Sequence, residues 1–134
     1  MIDGIEKQIN QSGKRISNIF ENAMDLIIIT NNDFEIEFAN EVALSNLLGY
    51  EIHEIKYKRI VDFLPPEEFF KLENSIENII NKGKDTQEYQ VKHQNGETKW
   101  LEVNTKAFKG TNEEEKALLI CRDISARKRK YEFL

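Results

Sequence analysis

The first 24 residues place Ile2, Ile5, Ile9, Ile16 and Ile19 at alternating spacings of three and four, with Ser12 the one polar member of the series. That is a heptad a/d seam, and it predicts an amphipathic helix weakened where Gly13 follows Ser12. A seam this narrow needs a partner. The partner is either the sheet of its own domain or the same seam of a second copy, and the spacing does not choose between them.

Beyond the seam the pattern changes. Leu26-Ile27-Ile28-Ile29-Thr30 is short and β-branched, as expected of a buried strand. The turn cluster Asn31-Asn32-Asp33 leads into Phe34, Ile36 and Phe38, which alternate with Glu35 and Glu37 as in a strand with one wet face. Asn40 can cap a short helix over 41–48, stopped by Gly49. Residues 50–64 read as short helical turns and loops around Ile55, Tyr57, Ile60 and Phe63. After Pro65-Pro66, the residues Phe69, Leu72, Ile76, Ile79 and Ile80 predict the longest amphipathic helix, ending at Gly83. Tyr89, Val91 and His93 then alternate with polar residues up to the hairpin dipeptide Asn95-Gly96. The returning strand puts Leu101, Val103, Thr105 and Ala107 on one face, opposite Trp100, Glu102, Asn104 and Lys106. A polar loop precedes a last strand over 117–123, and Ser125 can cap a terminal helix. Two strands, several helices and three strands lack strand-helix-strand alternation. The fold class is therefore α+β, with one antiparallel sheet and helices on one face.

At 134 residues the chain fits one domain and can bury a core without a disulfide or structural metal. A net charge of −5 argues against a nucleic-acid surface, and the one basic run, Arg127-Lys128-Arg129-Lys130, reads as a solvated helix start. Cys121 is the only cysteine, so a reducing, cytoplasmic setting is expected. No signal-peptide pattern opens the chain, and no apolar run approaches the ~20 residues that span a bilayer. No direct membrane contact is expected, and an anchor of the native protein would lie outside this chain.

Chemistry is sparse. Cys121 sits in an apolar strand run and reads as a buried structural thiol. His53 falls in a polar loop and His93 at a strand end, both solvent-facing, and no close His/Cys/Asp/Glu set suggests a metal site. The six glycines are scattered singly, which rules out a phosphate-cradling loop. No nucleophile has a base in view, so an enzyme is not expected.

Five segments, taken in order, resemble the PAS family. Phe20-Glu21-Asn22-Ala23-Met24-Asp25-Leu26-Ile27 looks like the family's approach to its first strand, and Phe38-Ala39-Asn40-Glu41-Val42-Ala43 like its strand-to-helix junction with the characteristic Asn. Leu48-Gly49-Tyr50 with Glu54-Ile55 resembles the next junction, and the run from Gln94 to Val103 resembles the hairpin and its tryptophan. Asp123-Ile124-Ser125 resembles the closing Asp-Ile-Thr signature, with Ser for Thr. The resemblance implies a five-stranded antiparallel sheet in the order 2-1-5-4-3, with helices enclosing a pocket over one face. It divides the chain into an N-terminal helix at 1–19, a PAS domain at 20–125 and the start of a linker helix at 126–134.

It also implies a role: a sensory module that dimerises and relays a ligand- or partner-induced change. The output domain would lie in cis, as in histidine kinases of two-component systems. The homodimer would use Ile2, Ile5, Ile9, Ile16 and Ile19, and the signal would leave through Asp123, Ile124 and Ser125. Flavin-binding members use a helix cysteine and strand amides. Here 50–83 hold no Cys, the matching strand positions are Val91 and Leu101, and Cys121 stands where those members keep a glutamine. Haem-binding members take a His from the long helix, and 67–82 contain none. Flavin and haem are disfavoured, no cofactor is expected, and an unknown small molecule remains open. The inward face expected to meet it is Tyr89, Val91, Leu101, Val103, Thr105, Leu119 and Cys121, opposite Phe63, with Thr105 and Tyr57 or Tyr89 as orienting polar groups. The same stripe also reads as an ordinary filled core, giving a PAS-like interaction module with no ligand.

Overall fold

The computed structural model describes residues 25–132. The helix expected at 1–19, with its isoleucine seam, lies outside the described residues. The elements run β1 (Leu26–Thr30), β2 (Ile36–Ala39), α1 (Glu41–Leu48), α2 (Ile52–Ile55), 3₁₀ turns at Ile60–Phe63 and Pro66–Glu68, α3 (Phe69–Lys82), β3 (Lys84–Lys92), β4 (Thr98–Lys109), β5 (Glu115–Asp123) and α4 (Ser125–Glu132). The five strands form one sheet in the order β2-β1-β5-β4-β3, antiparallel throughout.

All five residues of β1 are buried, because it lies between β2 and β5 and both of its faces are lined by apolar neighbours. Leu26 and Ile28 join the main core, whereas Ile27 and Ile29 pair with Ile120 and Leu118 on the opposite face. The core itself is built from the inward residues of the sheet together with Ala43, Leu44, Leu47 and Leu48 of α1 and Ile55 of α2.

Some local expectations are corrected. Phe34 does not begin β2. It stands before the strand with φ 60°, and the β1–β2 register shifts between Ile29 and Thr30. The strict alternation through Phe38 is lost at that irregularity, so Ile36 and Ala39 are buried while Phe38 is half-buried. Asn40 occupies the position before α1, but its side chain does not cap it. Its Oδ1 accepts the Ile27 N–H at 2.7 Å and its Nδ2 donates to the Asp25 carbonyl at 3.0 Å. In α3 the cavity-facing stripe runs through half-buried Leu72, Ile76 and Ile79 and buried Ser75, and Ile80 is 74% exposed. Ile80 lies about 100° around the helix from Ile79, off the face that meets the sheet. Phe69, in the first turn, is also exposed. Ala107 lies toward the far end of β4 and is exposed there.

Glycine is required where α1 turns into the next segment. Gly49 has φ 76°, and a Cβ there would run into the His93 ring. His93 is thus half-buried against the α1 stop rather than simply facing solvent.

Candidate functional site

The helices do not seal flat onto the sheet. Between α3 and the strands lies a cavity of about 80 Å³. Phe63, Tyr89, Val91, Leu101, Val103, Thr105, Leu119 and Cys121 all line it. The strand register explains this: Tyr89 lies opposite Leu101, Val103 opposite Cys121, and Thr105 opposite Leu119, so directly paired residues share the inward face. Tyr57 does not belong with them. It is 61% exposed with φ 66°, and Lys56 Nζ sits 5.4 Å from its ring centroid. The irregular 50–64 segment has no period from which the direction of that side chain could be read.

The polar end of the cavity is a hydroxyl pair that sequence reasoning half missed. Ser75 and Tyr89 are both buried, and their hydroxyl oxygens lie 2.5 Å apart. The available signal was the position of Ser75, three residues after Leu72 and four before Ile79, on the apolar stripe of α3. Burial pushes the Tyr89 phenol up to about 12, with Asp85 and Glu68 adding to the rise and the Ser75 hydrogen bond opposing it. Burial, helped by the charge of Asp25, pushes the Cys121 thiol up to about 12. A neutral thiol of this kind is a poor nucleophile at ordinary pH.

Asp123, Ile124 and Ser125 form the join between sheet and α4. Asp123 Oδ1 accepts the Ser125 N–H at 2.8 Å, and the Ile124 N–H donates to the Trp100 carbonyl at 2.9 Å. The Ser125 hydroxyl accepts the Trp100 N–H at 2.9 Å, fastening β4 to the helix start. Side chains extend the join. Lys128 Nζ lies 2.6 Å from Glu88 Oε1 and 4.6 Å from the Trp100 ring centroid. Lys71 of α3 stands 5.3 Å from the same ring and donates to the Glu88 carbonyl at 3.1 Å. Lys71 also lies 3.0 Å from Oε2 of the buried Glu68, an ion pair without hydrogen-bond alignment. The Trp100 ring therefore meets a cation of the cavity-lining helix and a cation of the exit helix.

Glu51, His53 and Glu54 bring three possible metal-ligating atoms within 4.8 Å of one another at the start of α2, all on or near the surface. Glu54 Oε1 already accepts the Glu51 N–H at 3.0 Å, and His53 Nδ1 lies 3.2 Å from Glu51 Oε2, so the group is accounted for by the helix end itself. Among the described residues, no helix is long and apolar enough to cross a membrane.

A 2-1-5-4-3 antiparallel sheet, an apolar cavity under a helix and a helix leaving from the last strand together define a single-sheet, cavity-bearing α+β domain. The chain belongs to the PAS domain family, whose pattern matches residues 24–126. It is 33% identical over 125 residues to Sporulation kinase E of Bacillus subtilis (strain 168), covering 93% of this chain but 16% of that kinase. Among solved structures it resembles the PAS domain of a protein from Colwellia psychrerythraea, with a TM-score of 0.71 and 25% identity over 84% of this chain and 97% of that one. A PAS domain of an HTR-like protein from Haloarcula marismortui gives a TM-score of 0.68 at 24% identity, covering 91% and 99%. A sensory box histidine kinase/response regulator from Burkholderia thailandensis gives 0.70 at 17%, covering 88% and 90%. As a member of the PAS family, the domain is a sensory input module.

Proposed function

We propose that the domain binds a small uncharged molecule in the cavity beneath α3 and relays its presence through α4 to an output domain in cis, of histidine-kinase type. The observation that carries this reading is one step of chain. Leu101 lines the cavity, and the adjacent Trp100 holds the start of α4 through both its amide and its carbonyl. A displacement of β4 by a ligand therefore acts on the exit helix without an intermediary. The relation to Sporulation kinase E supports a kinase as the output. Dimerisation through the isoleucine seam and a cytoplasmic location belong to the same proposal.

Native mass spectrometry of the purified domain tests the ligand half. A retained small molecule, lost when Leu101→Phe fills the cavity, is the expected result. A clean apo mass, together with no chemical-shift response of cavity methyls to short alcohols, would leave the second reading: an interaction module with a filled core, which the modest 80 Å³ volume favours. Light scattering tests the dimer, and a monomer unaffected by Ile9→Asp or Ile16→Asp would refute it.

A further inference from the structure

The core cavity has a neighbour. An open groove of about 490 Å³ runs between the β1–β2 turn, the end of α3 and the β4–β5 hairpin, lined by Asn31, Ile80, Phe108 and Lys116 among others. Two side chains, Phe34 and Ile79, line both spaces. They are the partition between the groove and the cavity. Ile79 belongs to a regular helix, whereas Phe34 belongs to the turn that precedes β2.

The Phe34 backbone is held in an unfavourable state. Its φ of 60° is a left-handed conformation that a bulky residue rarely adopts. The surrounding turn enforces it. The Phe34 N–H donates to the Asn31 carbonyl at 3.1 Å, and its carbonyl accepts the Ile60 N–H at 3.1 Å. Asn31 Oδ1 accepts the N–H groups of Asp33 and Glu35 at 2.9 and 3.0 Å, while its Nδ2 donates to Glu35 Oε1 at 2.8 Å. Such strain persists only where the surroundings over-determine it, and it clusters at switch segments. Release of the turn would carry the Phe34 ring out of the partition.

We propose that Phe34 is the gate through which a small uncharged molecule passes between the surface groove and the core cavity. The chemical class follows from the walls. The cavity is lined by carbon apart from Thr105, the Cys121 thiol and the Ser75–Tyr89 hydroxyl pair. None of these compensates an ion for loss of water. At about 80 Å³ the cavity is roughly half the size of an apolar cavity that accepts benzene. The occupant is a short apolar molecule with at most one hydroxyl-like group to meet the Ser75–Tyr89 pair. This rests on the reading that the cavity admits a ligand, but its test needs no ligand.

Cys121 is the reporter, because it lines the cavity and is the only cysteine. Methyl methanethiosulfonate is small and neutral; it converts the thiolate to a methyl disulfide and releases methanesulfinate. 5,5′-Dithiobis(2-nitrobenzoate) is bulky and dianionic. Labelling is measured with both reagents at one pH on the whole chain, alongside urea stability. Phe34→Ala should raise the rate with the small reagent about tenfold, equivalent to about 1.4 kcal/mol on the opening equilibrium, and leave the large reagent unchanged. Phe34→Gly removes the ring while easing the backbone, and should show the same selectivity in a stably folded protein. Phe69→Ala removes an exposed ring that lines neither the cavity nor the groove and should change neither rate. The proposal is overturned if Phe34→Ala and Phe34→Gly accelerate both reagents together, accelerate neither, or behave like Phe69→Ala. A clean apo mass together with no response of cavity methyls to short alcohols would overturn the proposed function and leave these rates unaffected.

Discussion

Asn40→Asp separates two roles for one residue. If Asn40 capped α1, aspartate would serve as well, since the two are equivalent at helix N-caps. The structure gives the side chain another task. Its amide nitrogen donates to the Asp25 carbonyl at 3.0 Å, and its oxygen accepts the Ile27 N–H at 2.7 Å, so it ties the start of β1 to the β2–α1 junction. An ionised aspartate keeps the second bond, loses the first, and sets an oxygen against the Asp25 carbonyl. It also adds a negative charge near the buried Asp25 side chain. One lost hydrogen bond and one carbonyl left without its donor amount to about 2–4 kcal/mol. The expected result in urea is a fall in midpoint of about 1 M or more at unchanged slope, and in heat a fall of about 10 °C or more. A protonated aspartate regains a donor, so the deficit against wild type should shrink as pH falls toward 4. An Asn40→Asp variant within about 0.5 kcal/mol of wild type at neutral pH would refute this role and restore the capping one.

The alkaline limb of stability is a second test. Cys121 and Tyr89 both have acid groups raised to about 12 in the folded state. Their stabilisation is complete below their unfolded values near 9 and 10 and is lost as pH rises through that window toward 12. By pH 10 the unfolded chain has gained about 1–2 kcal/mol from their ionisation, mostly from the thiol, so urea midpoints should decline from pH 8.5 upward and decline less steeply in Cys121→Ala. An identical slope in that variant would contradict the burial of the thiol. Glycine replacements give a third test. Gly49→Ala and Gly83→Ala both place a Cβ at a φ near 75°, but only Gly49 faces a neighbour, the His93 ring. Gly83→Ala should cost about 1–2 kcal/mol from backbone strain alone, and Gly49→Ala clearly more, in thermal melts. Equal losses would mean that His93 yields freely.

Much of this protein lies in its local pattern. The buried run at 26–30, the glycine stops at 49 and 83, the long amphipathic helix and the Asn95-Gly96 hairpin are short-range features, set by backbone propensity and by which positions recur on one face. Alternation along β3 and β4 likewise identified Tyr89, Val91, Leu101, Val103 and Thr105 as inward, because the strand period of two survives wherever no bulge interrupts it. It failed at Phe34 and Phe38, where the register shifts.

What the chain by itself left open depends on partners distant in sequence. Asn40 looks like a cap until β1 lies beside it, and Ser125 looks like a cap until Trp100 offers its amide. Ser75 looks like a polar break in an apolar stripe until Tyr89 arrives across the cavity. Tyr57 looked like a polar lining group and points to solvent instead, because no periodicity governs an irregular loop. The sequence alone determined the elements and the inward stripe, since both follow from neighbours within a few residues. Only the tertiary structure decided which hydrogen-bonding groups meet, and where the helices leave space unfilled. Those outcomes depend on the approach of surfaces that the chain brings together from afar.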